Sequence, residues 1–256
     1  MANTAKPIAG MGCDFRDFDN DGHPDLVVTG MVNDTYLAFR NLGRNLLFED
    51  FTAQSGLARA TAQLTGWSMG LFDFDNDGWK DLFVANSHFP QLDRYLAVDS
   101  PLPNSVFRNI GKARFEDISS SVGEALARRA FFRGTAFADF DRDGRVDVVV
   151  SALNSPAMLL RNVSASPNHW LALRLVGNKS NRQGLGARIL VALPDGTQLH
   201  NHATTSVGYA SSSEPLVRFE LGSNKHAERI EIRWPSGIVA RLDDVTGDRL
   251  VEVVER

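Results

Sequence analysis

Cysteine is nearly absent from this chain: Cys13 stands alone among 256 residues, so no internal disulfide framework exists and no Cys/His set has zinc-ligand spacing. No apolar run approaches the roughly 20 residues of a membrane-spanning helix. A basic surplus is missing too. The 27 Lys and Arg against 31 Asp and Glu give a formal net charge of −4, which argues against a nucleic-acid surface. The opening stretch "MANTAKPIAGMG" has one lysine and no apolar h-region, so it does not read as a signal peptide and leaves the compartment open. Helical periodicity is equally scarce, and only "VGEALARRAF", 122–131, suggests a helix. What remains has ordinary globular composition, 43% hydrophobic and 23% charged, which excludes disorder and fits one large domain or two modest ones.

What the chain does have is a repeat. "DFDNDGHPDLVV" at Asp17 returns as "DFDNDGWKDLFV" at Asp73 and as "DFDRDGRVDVVV" at Asp139. Each copy follows a Gly-bearing apolar stretch, and each leads to a strand ending in Arg-Asn, at Asn41, Asn109 and Asn162. In the first two copies a Gly turn and a return strand follow, "LGRNLLFEDF" and "IGKARFEDI". Four short strands per unit, with long and uneven spacing between units, fit propeller blades better than solenoid coils. The third unit lacks the return strand, so the sequence predicts two blades and part of a third. Closure of a propeller needs at least about four blades. Open blade edges and an exposed inner face therefore predict self-association. The stretch "SHFPQLDRYLAVDSPLP" in the second unit reads as an exposed loop.

The acidic loops have the form D-x-D-x-D-G-x-x-D. Side chains at positions 1, 3 and 5 converge as the loop curls, glycine at 6 permits the turn, and the carbonyl at 7 with the carboxylate at 9 completes an oxygen shell. The candidate ligands are Asp17, Asp19, Asp21, His23 and Asp25; Asp73, Asp75, Asp77, Trp79 and Asp81; and Asp139, Asp141, Asp143, Arg145 and Asp147. An EF-hand would place Glu at position 12, where this chain has Val28, Val84 and Val150. An all-oxygen cage of this flexibility suits Ca²⁺ better than Mg²⁺, so about three calcium ions are expected. Solvated acidic turns are the alternative, since Asp and Gly are common turn formers, but three copies with matching ligand positions weigh against it. The loops hold twelve of the 31 acidic residues, and without them the charge of −4 would become +8. Such a concentration of charge suits local neutralisation by metal.

After Asn162, "VSASPN" reads as a linker, dividing the chain into 1–165 and 166–256. Seven further strands follow: "HWLALRLV", "GARILVAL", "TQLHNHATT", "PLVRFEL", "ERIEIRW", "GIVARL" and "RLVEVVE". Ile230, Ile232 and Trp234 alternate onto one face, and the pattern suggests a sandwich or barrel. His200 and His202 share a face and could hold a transition metal, but no third ligand accompanies them. Ser211, Ser212 and Ser213 lack a G-x-S-x-G elbow or a His–Asp pair, so no catalytic residue is assigned. Asn181, Arg182 and Arg188 around Gly184 and Gly186 read as a structural turn packing against "WPSG".

"DFDNDGxxDLxV" followed by "FRNxGxxxFED" resembles the FG-GAP (VCBS-type) repeat of integrin-like propellers. "SNRQGLGARI", "VGYASSSEP", "FELGSN" and "EIRWPSGIV" resemble the ASPIC/UnbV domain. Together, in this order and over nearly the whole chain, they are similar to the cartilage acidic protein family and its bacterial relatives. The resemblance implies an all-β chain, a partial β-propeller followed by a sandwich- or barrel-like domain. It implies calcium in the blade loops and an extracellular, periplasmic or cell-surface location. The seven blades of family members imply that this chain corresponds to the C-terminal half of a longer member or is a natural truncation. The functional expectation is a non-enzymatic, calcium-binding module for binding or adhesion, with a protein or glycan ligand. An accessory enzyme of secondary metabolism, suggested by the UnbV name, and a purely structural fragment are the alternatives.

Overall fold

The computed structural model describes residues 7–44, 47–95 and 98–256; the first six residues of the stretch read above for a targeting signal lie outside them. The first unit is a four-stranded antiparallel meander of β1 (Cys13–Arg16), β2 (Asp25–Val28), β3 (Leu37–Asn41) and β4 (Phe48–Asp50). The second repeats it with β5 (Gly66–Phe72), β6 (Asp81–Asn86), β7 (Ser105–Asn109) and β8 (Phe115–Asp117). The third has only β9 (Phe132–Ala138), β10 (Asp147–Ala152) and β11 (Ser155–Leu160), as the missing return strand predicts. Blade 2 lies between the other two, so β6 is buried on both faces. Leu82 and Val84 join the core shared with blade 1, while Phe83 and Ala85 join the core shared with blade 3. The period-two alternation of a strand thus assigns successive residues to different blade interfaces.

Seven more strands follow: β12 (His169–Val176), β13 (Arg188–Ala192), β14 (Gln198–His202), β15 (Leu216–Gly222), β16 (His226–Arg233), β17 (Val239–Thr246) and β18 (Arg249–Val254). They form two sheets, β15-β12-β18 and β14-β13-β16-β17, with β12 and β18 parallel. Both sheets contribute to one core, in which Ile230 and Ile232 are fully buried and Trp234 nearly so. This is a sandwich and not a closed barrel. The turn around Gly184 packs against Trp234, and Asn181 is bonded to Leu185 in both directions, as a structural turn requires.

Glu255 fastens the end of this sandwich. Its buried carboxylate accepts the backbone N–H groups of Asn178, Lys179 and Ser180 and the hydroxyls of Ser180 and Ser236. Burial opposes ionisation, but the five donors prevail and hold its pKa at about 2. A carboxylate held below its unfolded value stabilises the fold above that value and loses its effect as the pH falls through the folded one. The stability advantage of the native chain over Glu255→Gln is therefore expected to be largest above pH 4.5 and to shrink as the pH falls to about 2. Urea unfolding across that range checks it.

Three expectations are corrected. The helix over 122–131 is a single 3₁₀ turn, Glu124–Ala127; Ala130 bridges to Leu102 and β9 begins at Phe132. Only Leu126 of that turn is buried, too little apolar contact to offset the cost of nucleating a helix. The insertion after β6 is exposed at Phe89 and Tyr95 but tied down at both ends. His88 donates its N–H to Ser100, and Leu102 bridges to Ala130. Residues 96 and 97 of this insertion lie outside the described residues.

The third correction concerns the blades' first strands, β1, β5 and β9, which lie side by side. The segment 204–214 of the C-terminal unit runs across all three. Gly208 bonds Cys13, Tyr209 bonds Ser68, and Ser211 and Ser213 accept the N–H groups of Thr135 and Phe137. The inner face is thus covered from within the chain. Val207 of this segment joins the core shared by blades 2 and 3, and serine hydroxyls accept the backbone N–H groups at the contact.

Candidate metal sites and the interface they face

Each acidic loop joins the first strand of a blade to the second, and the three share one backbone. Position 4 has positive φ in each (Asn20 59°, Asn76 57°, Arg142 62°), as does the glycine at position 6 (Gly22 91°, Gly78 94°, Gly144 88°). Asn tolerates this conformation well; Arg142 occupies it at some cost. The position-1 carboxylate closes the turn. Asp17 accepts the N–H groups of Asp21 and Gly22, Asp73 those of Asp77 and Gly78, and Asp139 those of Asp143 and Gly144.

The structure brings positions 1, 3 and 9 together. Asp17, Asp19 and Asp25 place carboxylate oxygens within 4.8 Å of one another, as do Asp73, Asp75 and Asp81, and Asp139, Asp141 and Asp147. Position 5 is not part of these triads. The carboxylates of Asp21, Asp77 and Asp143 instead accept the N–H of His23, Trp79 and Arg145, closing a small turn. The side chains at position 7 have their own task. The His23 ring lies against Gly43 and the Trp79 ring against Gly111, while Arg145 donates to the carbonyl of Asn162.

Position 9 does more than complete a triad. Asp25 accepts N–H groups from Phe18 and Asn41, Asp81 from Phe74 and Asn109, and Asp147 from Phe140 and Asn162. The asparagine of each Arg-Asn pair is thereby fixed to its own loop. Its amide then reaches the preceding blade: Asn109 donates to the Phe18 carbonyl and Asn162 to the Phe74 carbonyl. At position 4, Asn20 donates to the Gly78 carbonyl and Asn76 to that of Gly144. The loops therefore form a linked row, each stitched to the next.

Electrostatics favour a cation. The arginine of each Arg-Asn pair meets the position-3 carboxylate, Arg40 to Asp19 at 2.7 Å, Arg108 to Asp75 at 2.7 Å and Arg161 to Asp141 at 2.5 Å. When all three carboxylates of a triad are ionised, this one guanidinium does not balance them, although Arg218 adds a second at Asp139. Burial raises Asp25 and Asp81 to about 8, since desolvation outweighs the two N–H groups that each accepts. Asp73 is likewise pushed up by burial, and next by Glu220. Asp75 Oδ1 is buried and has no hydrogen-bond partner. A buried oxygen without a donor, on a carboxylate of a triad, fits a metal ion. The acidic clusters can bind metal ions.

The loops face the C-terminal sandwich. Trp170 stands against Gly144 so closely that a Cβ there would lie 1.9 Å from its indole nitrogen. His200 lies over Gly22, and its carbonyl accepts from the buried ammonium of Lys80. Arg218 approaches Asp139 at 3.5 Å. Lys80, whose pKa burial lowers, lies near Asp17, Asp73 and the half-buried Glu220. None of Lys80, Arg218 or Glu220 was singled out by sequence. Each sits in a strand or turn where a charge looks like an ordinary solvated residue. The Arg-Asn pairs were visible as a recurring dipeptide, though not their bonds.

Other sequence candidates find structural partners. Ser211 and Ser213 are engaged with β9 as described, and Ser211 also donates to the Tyr209 carbonyl. His200 and His202 line a pocket of about 360 Å³ between β14 and the first acidic loop. Burial lowers both rings, His202 to about 4. Neither joins a third metal-ligating side chain among the described residues.

Repeated strand-loop-strand blades with an acidic loop at the same corner define a class of protein. The FG-GAP-like repeat model matches residues 17–84 and again 73–150, and the ASPIC and UnbV model matches 177–256. The chain belongs to the family of FG-GAP-like repeat proteins and carries a C-terminal ASPIC and UnbV domain. It is similar to Cartilage acidic protein 1 of Mus musculus, 27% identical over 263 residues, covering 96% of this chain and 36% of that protein. The Homo sapiens protein is 26% identical over 250 residues (93% and 35%), and that of Xenopus tropicalis 30% over 191 residues (73% and 26%). The chain spans about a third of the length of these curated relatives.

Proposed function

We propose that the chain is a calcium-stabilised, non-enzymatic binding module that acts outside the cell or at its surface. The observation that carries this reading is the buried, donorless Asp75 Oδ1 within a triad repeated three times in register. Oxygen-only ligands in a flexible loop suit calcium, and the affinity expected of extracellular modules, about 10⁻⁴–10⁻³ M, matches surroundings rich in that ion. The word cartilage in the relatives' name supports an extracellular setting. A rigid row of blades with a sandwich packed over its loops suits recognition of a protein or glycan, as in adhesion. Equilibrium dialysis at about millimolar free calcium tests the metal. Three ions per chain are expected, and Asp75→Asn should retain two. No retention, or equal retention by the variant, would overturn the assignment.

A further inference from the structure

Blade 3 ends at β11, which has no strand on its outer side among the described residues, and beside it runs a groove of about 640 Å³ between blades 2 and 3. The repeat shows what such a groove holds. At the equivalent place between blades 1 and 2, Phe115 of β8 is 7% exposed and packs edge-on against Phe18 at 5.9 Å. Phe74 occupies the position of Phe18 in the next loop and lines the groove, together with Phe83, Ile118, Leu126 and Leu160. These apolar walls face a space that no described aromatic ring fills.

A second observation comes from the backbone. Gly56 follows the Phe of β4 by eight residues, and a Cβ built on it would lie 2.9 Å from the Phe115 carbonyl. Gly123 follows the Phe of β8 by the same eight residues and also has positive φ, 114°. Nothing lies within 4 Å of its Cβ position. The notch that admits the fourth strand of blade 2 is therefore repeated beside blade 3 with open space in it.

We propose that this groove docks an extended polypeptide segment of the repeat's own Phe-Glu-Asp kind, donated from outside the described strands, which completes blade 3 by strand addition. The register follows from blade 2, where Phe115 faces Asn109, Glu116 faces Arg108 and Asp117 faces Phe107. The incoming Phe lies opposite Asn162 with its ring on Phe74, the Glu opposite Arg161 and the Asp opposite Leu160. Arg161 is 61% exposed, and its charge complements the acidic strand. The inference goes beyond the metal reading and does not depend on it.

The test uses the whole chain in calcium buffer and a fluorescent peptide of residues 111–119, GKARFEDIS. Anisotropy should show saturable binding, weakened at least about tenfold by Phe115→Ala in the peptide, since a buried aromatic anchor dominates such contacts. Glu116→Lys in the peptide should weaken binding roughly two- to fivefold, and Arg161→Glu in the chain should restore it, the size expected of an exposed ion pair. No saturation by about 1 mM, equal binding of the Phe115→Ala peptide, or no recovery in the charge swap would overturn the proposal. So would a dimer, seen by light scattering, whose formation excludes the peptide, because a second copy would then hold the groove.

Discussion

Replacing Asn109 with alanine is expected to destabilise the protein by about 3 kcal/mol, read as a lower midpoint in urea with an unchanged slope. The side chain is fully buried and makes three hydrogen bonds, donating to the Phe18 and Lys80 carbonyls and accepting the Gly111 N–H. Alanine would leave two buried carbonyls and one N–H without partners, and each unsatisfied buried group costs about 1–3 kcal/mol. Some recovery through water at the Gly turn keeps the total near the lower end of that sum. Asn41 supplies the internal control. It is half-buried, and its amide donates only to the Pro24 carbonyl of its own loop. Asn41→Ala should therefore cost only about 1 kcal/mol. Equal losses at the two positions would show that the bond between blades contributes nothing.

Adding chelator to the calcium-loaded protein is expected to lower its melting temperature by roughly 3–15 °C. Extracellular-type affinities at about millimolar calcium give about 0.4–1.4 kcal/mol per site by mass action, or about 1–4 kcal/mol over three sites. For a chain of this size 1 kcal/mol moves the midpoint by about 2–4 °C. The effect should grow with pH. Asp25 and Asp81 have folded pKa values of about 8 in the absence of metal, raised from 3.8 by desolvation. A raised carboxyl stabilises the ion-free fold below its unfolded value, and that contribution is lost as the pH rises through about 8. Calcium needs the ionised form, so its stabilisation increases over the same interval. The gap between the calcium and chelator melts should widen from pH 5 to pH 8, as calorimetry at fixed free calcium would record. A gap that is constant or absent would count against the buried triads as the sites.

The acidic loops, the blade count and the missing fourth strand were all legible in the sequence, for one physical reason. Each is local: a loop's carboxylates, its turn glycine and the alternation of its flanking strands depend on residues adjacent in the chain. The core of the C-terminal unit was legible likewise, since Ile230, Ile232 and Trp234 alternate onto one side of a strand. The helix expected over 122–131 failed because local propensity there had no core to pack against.

What the tertiary structure decided is how these local pieces meet. The sequence by itself determined that Asp17, Asp73 and Asp139 begin equivalent acidic loops. Only the fold decided that positions 1, 3 and 9 converge while position 5 turns back on the backbone. The amide of Asn109 crossing to Phe18, and the serines of 211–213 crossing to β9, span separations of about 75–90 residues. The empty notch at Gly123 is long-range too, since it is defined by comparison with Gly56 and the carbonyl it meets in another blade. Such contacts are set by the packing of one blade on the next. Pairing over long separations leaves no periodic mark in the chain, because many sequences of the same local pattern satisfy it.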